Sequence, residues 1–478
     1  MDLIDALSWT SLYLLSEWII RVVMLVVIPF RRSPEAAKGW LLFGFFLPWP
    51  ALALYLLIGR PAYPKWRRMR FAELPHVLRA EVARVRELSA RQEPDLPPNL
   101  TQAARLIRNL GHFPALNGNQ ADLISQYDET LDRMVADIDA ATDHVHLLFY
   151  IFAYDTSGKT IIAALARAAE RGVVCRVLID ALGSHVWAVQ VVKALTDAGV
   201  SAHLVLPVRL LRRRSTRADL RNHRKIVVID GQIGFLGSQN IVDADFNPGV
   251  TNQELVVRVS GPAVLGLQAV FVSDWFLETN QVLKTPDLFP EPIRGGNVVA
   301  QVLPSGPDYP EAGIERAIEA LIHGAHERVV ITTPYFIPSE ALLHALETAV
   351  LRGVEVHVVL SKPVDQTLVH LAQCSHYTEL LDAGIKIHLY RDKLLHAKHL
   401  SIDQDLSLIG SSNMDMRSFT LNSEISLVVF DRNLTAQLRA EQARYFAGSD
   451  PLLAKQWKTR PLARKVSENI ARLLTPLL

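Results

Sequence analysis

Apolar residues are distributed unevenly along the chain. Before residue 60 they form long runs, and beyond residue 101 they form short runs separated by amphipathic stretches. Residues 40–59 (WLLFGFFLPWPALALYLLIG) carry no charge over twenty positions, the length an α-helix needs to cross a bilayer's hydrocarbon core. The run 10–30 is also apolar but holds Glu17 and Arg21, whose i, i+4 spacing puts them on one helix face where they can neutralise each other. Two spans, 10–30 and 40–59, joined by 31–39, predict a transmembrane hairpin within an anchor of residues 1–60. Arg60, Lys65, Arg67, Arg68 and Arg70 follow the second span, against Arg31, Arg32 and Lys38 in the short loop, which places the body on the cytoplasmic side. Residues 61–100 read as a basic juxtamembrane segment and a polar helical connector that ends in the linker EPDLPPN.

Past residue 100 the pattern repeats. A buried strand at 144–154 (HVHLLFYIFAY), a helix near 161–171 and a second strand (GVVCRVLID) recur as RVVITTPYFI from Arg328, a helix near 342–352 and GVEVHVVLS. Both series continue into DAGV or DAGI and another short strand. Strands alternating with amphipathic helices predict an α/β fold of two pseudo-symmetric lobes, 101–290 and 291–478, each a mixed sheet flanked by helices. The second lobe ends in an amphipathic tail, with apolar residues at 462, 466, 470, 473, 474 and 477 and Arg464, Lys465 and Arg472 between them. This tail can dock on the body or lie on a membrane.

The repeat carries chemistry. RNHRKIVVIDGQIGFLGSQN supplies His223, Lys225, Asp230, Gly237, Ser238 and Asn240; LLHAKHLSIDQDLSLIGSSN supplies His396, Lys398, Asp403, Gly410, Ser411 and Asn413 at identical offsets. On a strand, residues i and i+2 share a face, so each histidine and lysine point together. The Gly-Ser-x-Asn turn permits close backbone approach and offers a hydroxyl and an amide to phosphate oxygens. Facing the two motifs across one phosphate gives two imidazoles, one to attack phosphorus and form a phosphohistidine, the other to move protons, with lysines and amides stabilising the charge. This arrangement needs neither metal nor cofactor. Glu254 and Glu424 follow in similar contexts (TNQELVV, LNSEISL) and are expected to orient the histidines. Asp230 and Asp403 complete the motif set, and at strand ends they are expected to brace it.

Composition narrows the class. A mean hydropathy of +0.16 is high for a soluble protein, yet the excess sits in the first sixty residues. A net charge of +1 argues against a nucleic-acid partner. Cys175 and Cys374 are the sole cysteines, which excludes a disulfide framework and fits a reducing compartment.

The doubled motif resembles that of the phospholipase D superfamily, over residues 101–478. Within it, the double apolar segment followed by YLLIGR, and HFPALNGN, YIFAYDTSG, DALGS, NHRK, LHAK and ARLLTPLL, resemble the bacterial cardiolipin synthases. The resemblance implies an enzyme of the bacterial cytoplasmic membrane that transfers a phosphatidyl group from one phosphatidylglycerol to another, giving cardiolipin and glycerol. It implies the lipid bilayer as a partner and no nucleic acid. Rival readings are a hydrolase or transphosphatidylase using another donor or acceptor on the same scaffold, and an idle membrane scaffold. Both motifs being complete argues against the last. Because duplication supplies both halves of a site in one chain, oligomeric state stays open. The isolated His112, His203 and His357 read as structural. The basic run 209–225 and Arg417 read as candidates for capturing anionic headgroups.

Overall fold

A computed structural model describes residues 9–32, 34–59, 63–208, 216–283, 288–309 and 313–473. They form two compact units, Met1–Ala62 and Tyr63–Leu478.

The first unit corrects the expected hairpin. The charge-free stretch 40–59 is not one helix, because Pro48 forces Leu47 out of helical geometry (φ −133°, ψ 73°). It belongs to two short helices, Pro34–Phe46 and Pro48–Ile58, of 13 and 11 residues. At 1.5 Å per residue they reach roughly 20 and 16 Å, short of a span of about 30 Å. Trp9–Val27, with 19 residues, is the one helix among the described residues long and apolar enough to cross a membrane. Its side chains Leu12, Leu14, Leu15, Trp18 and Ile19 are exposed, as lipid-facing residues are. Glu17 pairs with Arg21 at 3.1 Å, and Arg21 Nε also donates to the Phe45 carbonyl at 3.0 Å, an acceptor beside the break at Leu47.

The body, residues 63–478, is a mixed α/β fold on one sheet of 15 strands among the described residues. One arm runs Ser201–Val205, Val174–Asp180, His144–Phe149, Ile226–Ile229, Ile233–Gly237, Val256–Ser260 and Leu116–Ile124. The other continues Val298–Ser305, Glu424–Phe430, Leu406–Gly410, His399–Ile402, Arg328–Thr332, Glu355–Ser361 and Lys386–Tyr390, closed by Ser449–Pro451. In each arm the outer strands are parallel, linked through helices such as Thr156–Glu170 and Glu340–Leu351. The motif strands are antiparallel.

The strand order therefore reverses about a seam where Leu116–Ile124 pairs antiparallel with Val298–Ser305. The register slips between Leu116 and Asn119, and the buried Asn119 fills the gap: its amide donates to the Leu116 and Val298 carbonyls (2.7 and 3.0 Å) and its oxygen accepts from Ala263 N (2.7 Å). Gly118 takes the positive φ of 90° that this bulge requires. The helix Val264–Thr279, buried almost all round, shares a core with Ala300, Val302, Ile425 and Leu427, so the arms are joined by packing as well as by pairing.

Residues 63–100, read from sequence as a basic segment and linker, are built into this body. Helices Lys65–Val77 and Arg79–Ala90 bring Leu74, Leu78 and Leu88 into the same core as Trp275. Arg67 is fully buried among Asp308 (3.3 Å), Asp274 (3.8 Å) and Glu278. It is an internal counter-ion, so the charge count that oriented the chain narrows from five against three to four against three.

Candidate active site

The two motifs meet through a crossed exchange of partners. His223 Nδ1 lies 3.0 Å from both carboxylate oxygens of Glu424, in the other arm, and His396 Nδ1 lies 2.7 Å from Glu254 Oε1. Backbone pairing imposes the crossing. His223 N donates to Ser423 O at 2.8 Å, and His396 N donates to Gln253 O at 2.8 Å. Leu394–Leu395 runs parallel to Asn252–Gln253, and Asn222 bridges Ser423. The chain entering each motif thus lies beside the chain entering the other arm's glutamate. With Nδ1 committed, each ring makes no further hydrogen bond through Nε2 among the described residues, and the side chains stay 11% and 14% exposed.

The spacing of the remaining positions now has a structural cause. A Cβ on Gly237 would fall 2.4 Å from the Leu255 carbonyl oxygen, and one on Gly410 2.4 Å from that of Ile425. Glycine is needed here for approach of the strand that bears the glutamate. The serine hydroxyls turn the same way, which corrects the expectation that they face phosphate. Ser238 Oγ accepts from Leu255 N (3.0 Å), and Ser411 Oγ accepts from Ile425 N (3.0 Å) and donates to Glu424. Asn240 accepts from Ile151 N (3.1 Å), while the Asn413 amide oxygen is buried without a hydrogen-bond partner among the described residues.

Asp230 and Asp403 occupy left-handed backbone (φ 51° and 47°) at the far ends of their strands. Asp230 stands five positions after Lys225, roughly 16 Å along a strand, as Asp403 does after Lys398, so neither carboxylate is beside the histidines. Asp230 instead accepts from the Thr142, Asp143 and His144 amides, and Asp403 from those of His326, Glu327 and Arg328, all within 2.7–2.9 Å. Each aspartate pins the start of the neighbouring strand.

Burial sets the electrostatics. It drives the His223 imidazole down to about 4 against the pull of Glu424, and lowers His396 as well. It brings Lys225 to about 7 and Lys398 to about 8, although Glu254 and Glu424 oppose this. Burial raises both glutamates, but His396 on Glu254 and His223 on Glu424 hold them below the usual carboxylate range. Each histidine also feels the lysine of the other arm. At neutral pH an uncharged imidazole is therefore available as a nucleophile. We expect kcat/KM to be lost as pH falls through about 4, where His223 gains a proton, and to decline as pH rises through about 7 to 8, where the lysines lose theirs. Initial rates between pH 4 and pH 9 check this; a flat alkaline limb would deny the lysines a charge role.

Several contributors escaped the sequence reading. The Tyr150 ring stands edge-on to His223 at 4.9 Å, with Lys225 over it at 5.4 Å. Ser418 donates to Glu424 (3.0 Å), and Arg224, inside NHRK, donates to the Glu424 carbonyl (3.0 Å) and to Asp274 (2.5 Å). Asp180 of DALGS accepts from Asn222 N (3.0 Å) and pairs with Arg221 (3.2 Å), holding the approach to His223. The signal was a quoted motif without an assigned role. In the basic run, 209–215 lie outside the described residues, and Arg217, Arg221 and Arg224 are each paired with an aspartate. Those cations are structural. Half-buried Arg417 lies within electrostatic reach of Tyr150. His112 lies tilted against Tyr309, His203 stands edge-on to Trp275 and His357 stacks on His388, and among the described residues none of the three has a hydrogen bond or ring contact with the motif residues.

Comparison with known proteins adds independent findings. The family model described as "Cardiolipin synthase, PLD-like domain" matches residues 134–275 and 318–445. Cardiolipin synthase A of Pectobacterium carotovorum subsp. carotovorum (strain PC1) is 34% identical over 485 residues, covering 99% of each chain. The same identity and coverage hold for cardiolipin synthase A of Yersinia pseudotuberculosis serotype O:1b (strain IP 31758). Among solved structures, phosphatidylserine synthase of Haemophilus influenzae Rd KW20 superposes with a TM-score of 0.61 at 17% identity, covering 80% of this chain and all of that one, a likeness of fold.

Proposed function

We propose, from the premise that this chain belongs to the cardiolipin synthase family of the phospholipase D superfamily, that its donor and its acceptor are both phosphatidylglycerol. The enzyme is a phospholipid phosphatidyltransferase and membrane-associated, and its product is cardiolipin. The observation that supports a two-histidine mechanism is the crossed pairing of His223 with Glu424 and His396 with Glu254. One neutral imidazole attacks the donor phosphorus through Nε2, and a phosphorus–nitrogen bond forms as the bond to the glycerol oxygen breaks. The other ring, entering the step as an imidazolium with a proton on Nε2 as well as on the Nδ1 held by its glutamate, gives that oxygen its proton and glycerol leaves. It then takes the proton from a hydroxyl of the second phosphatidylglycerol, whose oxygen displaces the histidine from phosphorus. Glu254 and Glu424 hold the tautomers and stabilise whichever ring is charged. Lys225 and Lys398 neutralise the phosphoryl oxygens.

We place the anchor in the bacterial cytoplasmic membrane with the body on its cytoplasmic face. Cys175 and Cys374, both buried and unpaired, fit a reducing compartment. The test is product identity: detergent-purified full-length enzyme with headgroup-labelled phosphatidylglycerol is expected to release free glycerol and form cardiolipin, in the presence of a chelator. Phosphatidic acid as main product would make water the acceptor and replace this reading with a hydrolase.

A further inference from the structure

The last described helix, Leu462–Leu473, is amphipathic, yet it docks on the body by its polar side. Glu468 is fully buried and accepts from Arg460 (2.8 Å) and Arg464 (3.2 Å); Arg460 also donates to Thr378 (3.3 Å). Ala471, one turn on, packs with Ile337, Val369 and Ala372. Leu462, Val466, Ile470 and Leu473 line the opposite face, 76%, 49%, 56% and 79% exposed, and none joins a core cluster. A helix covering a soluble core turns its apolar stripe inward. Here the inward side is an ion pair, and the stripe points away from the body.

The charge around the stripe says what covers it. Over residues 454–473 the chain carries Lys455, Lys458, Arg460, Arg464, Lys465 and Arg472; Arg460 and Arg464 pair with Glu468, Lys458 with Asp382 and Arg472 with Glu379, so six cations meet three carboxylates and the surplus stays basic. An apolar stripe bordered by basic side chains matches the boundary between acyl chains and anionic headgroups.

We infer that the helix Leu462–Leu473 lies in the headgroup layer of an anionic bilayer with its apolar stripe inserted, and that the Arg460–Glu468–Arg464 cluster makes this contact rigid with the body. The inference rests on the phospholipid reading only for the nature of the surface.

The test uses the full-length chain reconstituted into vesicles of phosphatidylglycerol and phosphatidylcholine, or of phosphatidylcholine alone. Val466→Cys and Ile470→Cys carry a bimane label, with exposed Lys193→Cys as control; Cys175 and Cys374 are buried. Lipids brominated in their acyl chains are expected to quench the labels at 466 and 470, more strongly in the anionic vesicles, and to spare the label at 193. The triple variant Leu462→Glu, Val466→Glu, Ile470→Glu should melt like the parent. Its KM for bilayer substrate should rise about tenfold, with an unchanged rate on short-chain lipid in micelles. Absence of quenching overturns the inference, as does cross-linking of 466 between copies, which would make the stripe a subunit interface. Quenching is read without turnover, so a failure of the proposed reaction leaves it distinguishable.

Discussion

Alanine at His223 or at His396 is expected to lower phosphatidyl transfer by about 10⁴-fold, because each ring is half of a mechanism that needs both an attacking nitrogen and a proton carrier. Product formation from labelled phosphatidylglycerol reads the loss directly. Glutamine at Glu254 or Glu424 should cost about 10²-fold or more, since it leaves the ring in place and removes what fixes its tautomer. The crossed arrangement makes a sharper claim. Glu424→Gln should shift the imidazole nitrogen resonances of His223, in the other arm, and leave those of His396 unmoved, with the reverse for Glu254→Gln. If each glutamine perturbed the histidine of its own arm, the exchange between arms would be wrong. A lipid adduct trapped on one histidine when the other is alanine would assign the nucleophile.

The two sides of the site differ in ways that bear on that assignment. Around His223 lie Tyr150, Ser411 and Ser418 on Glu424, and the buried Arg224–Asp274 pair. The position matching Arg224 in the second motif is Ala397, and Glu254 is joined by Asn252 at 3.3 Å. The His223 side is therefore the more tightly fixed, while burial lowers both histidines.

What could be read in the sequence was what depends on short spacing. The repeat, the motif residues, and the alternation of strands and helices are all set within twenty or so neighbours, where periodicity and offset are visible. Partner choice was not visible. Glu254 stands fourteen residues after Asn240, a spacing that names no partner, and Leu394–Leu395 pairing with Asn252–Gln253 carries it to His396. The serines failed for a similar reason: a hydroxyl beside a phosphate motif suggests a phosphate ligand until the neighbouring strand is seen 2.4 Å from where a glycine Cβ would sit. Composition misled in the anchor, where a count of apolar residues overrode the conformational constraint Pro48 places on Leu47. It misled again at Arg67, a cation counted toward the orientation of the anchor because it follows an apolar run, yet buried in the body.

Arg67 carries the second large expectation. Methionine there keeps much of the length and removes the charge, leaving Asp274, Glu278 and Asp308 buried with Arg224 as their remaining cation. Removing one partner from a buried ion pair costs about 3–5 kcal/mol, and thermal unfolding of the detergent-solubilised chain should fall by several degrees at pH 8. The sign of the pH dependence follows from the carboxyls. Burial already pushes Glu278 and Asp308 upward with Arg67 opposing it, so its loss raises them further. A carboxyl whose folded value is raised binds protons more readily folded than unfolded. The deficit should therefore shrink as pH falls toward 5 and grow as pH rises. Activity should suffer as well, because Tyr63, four residues before Arg67, is hydrogen-bonded to Ser423 at 2.9 Å, and Ser423 O receives the amide of His223. Adding Asp308→Asn to Arg67→Met should recover part of the lost stability by removing one uncompensated charge. A single variant that melts like the parent at pH 8 would mean that these carboxyls are already protonated, and that the first turn after the anchor packs against the body without holding it by charge.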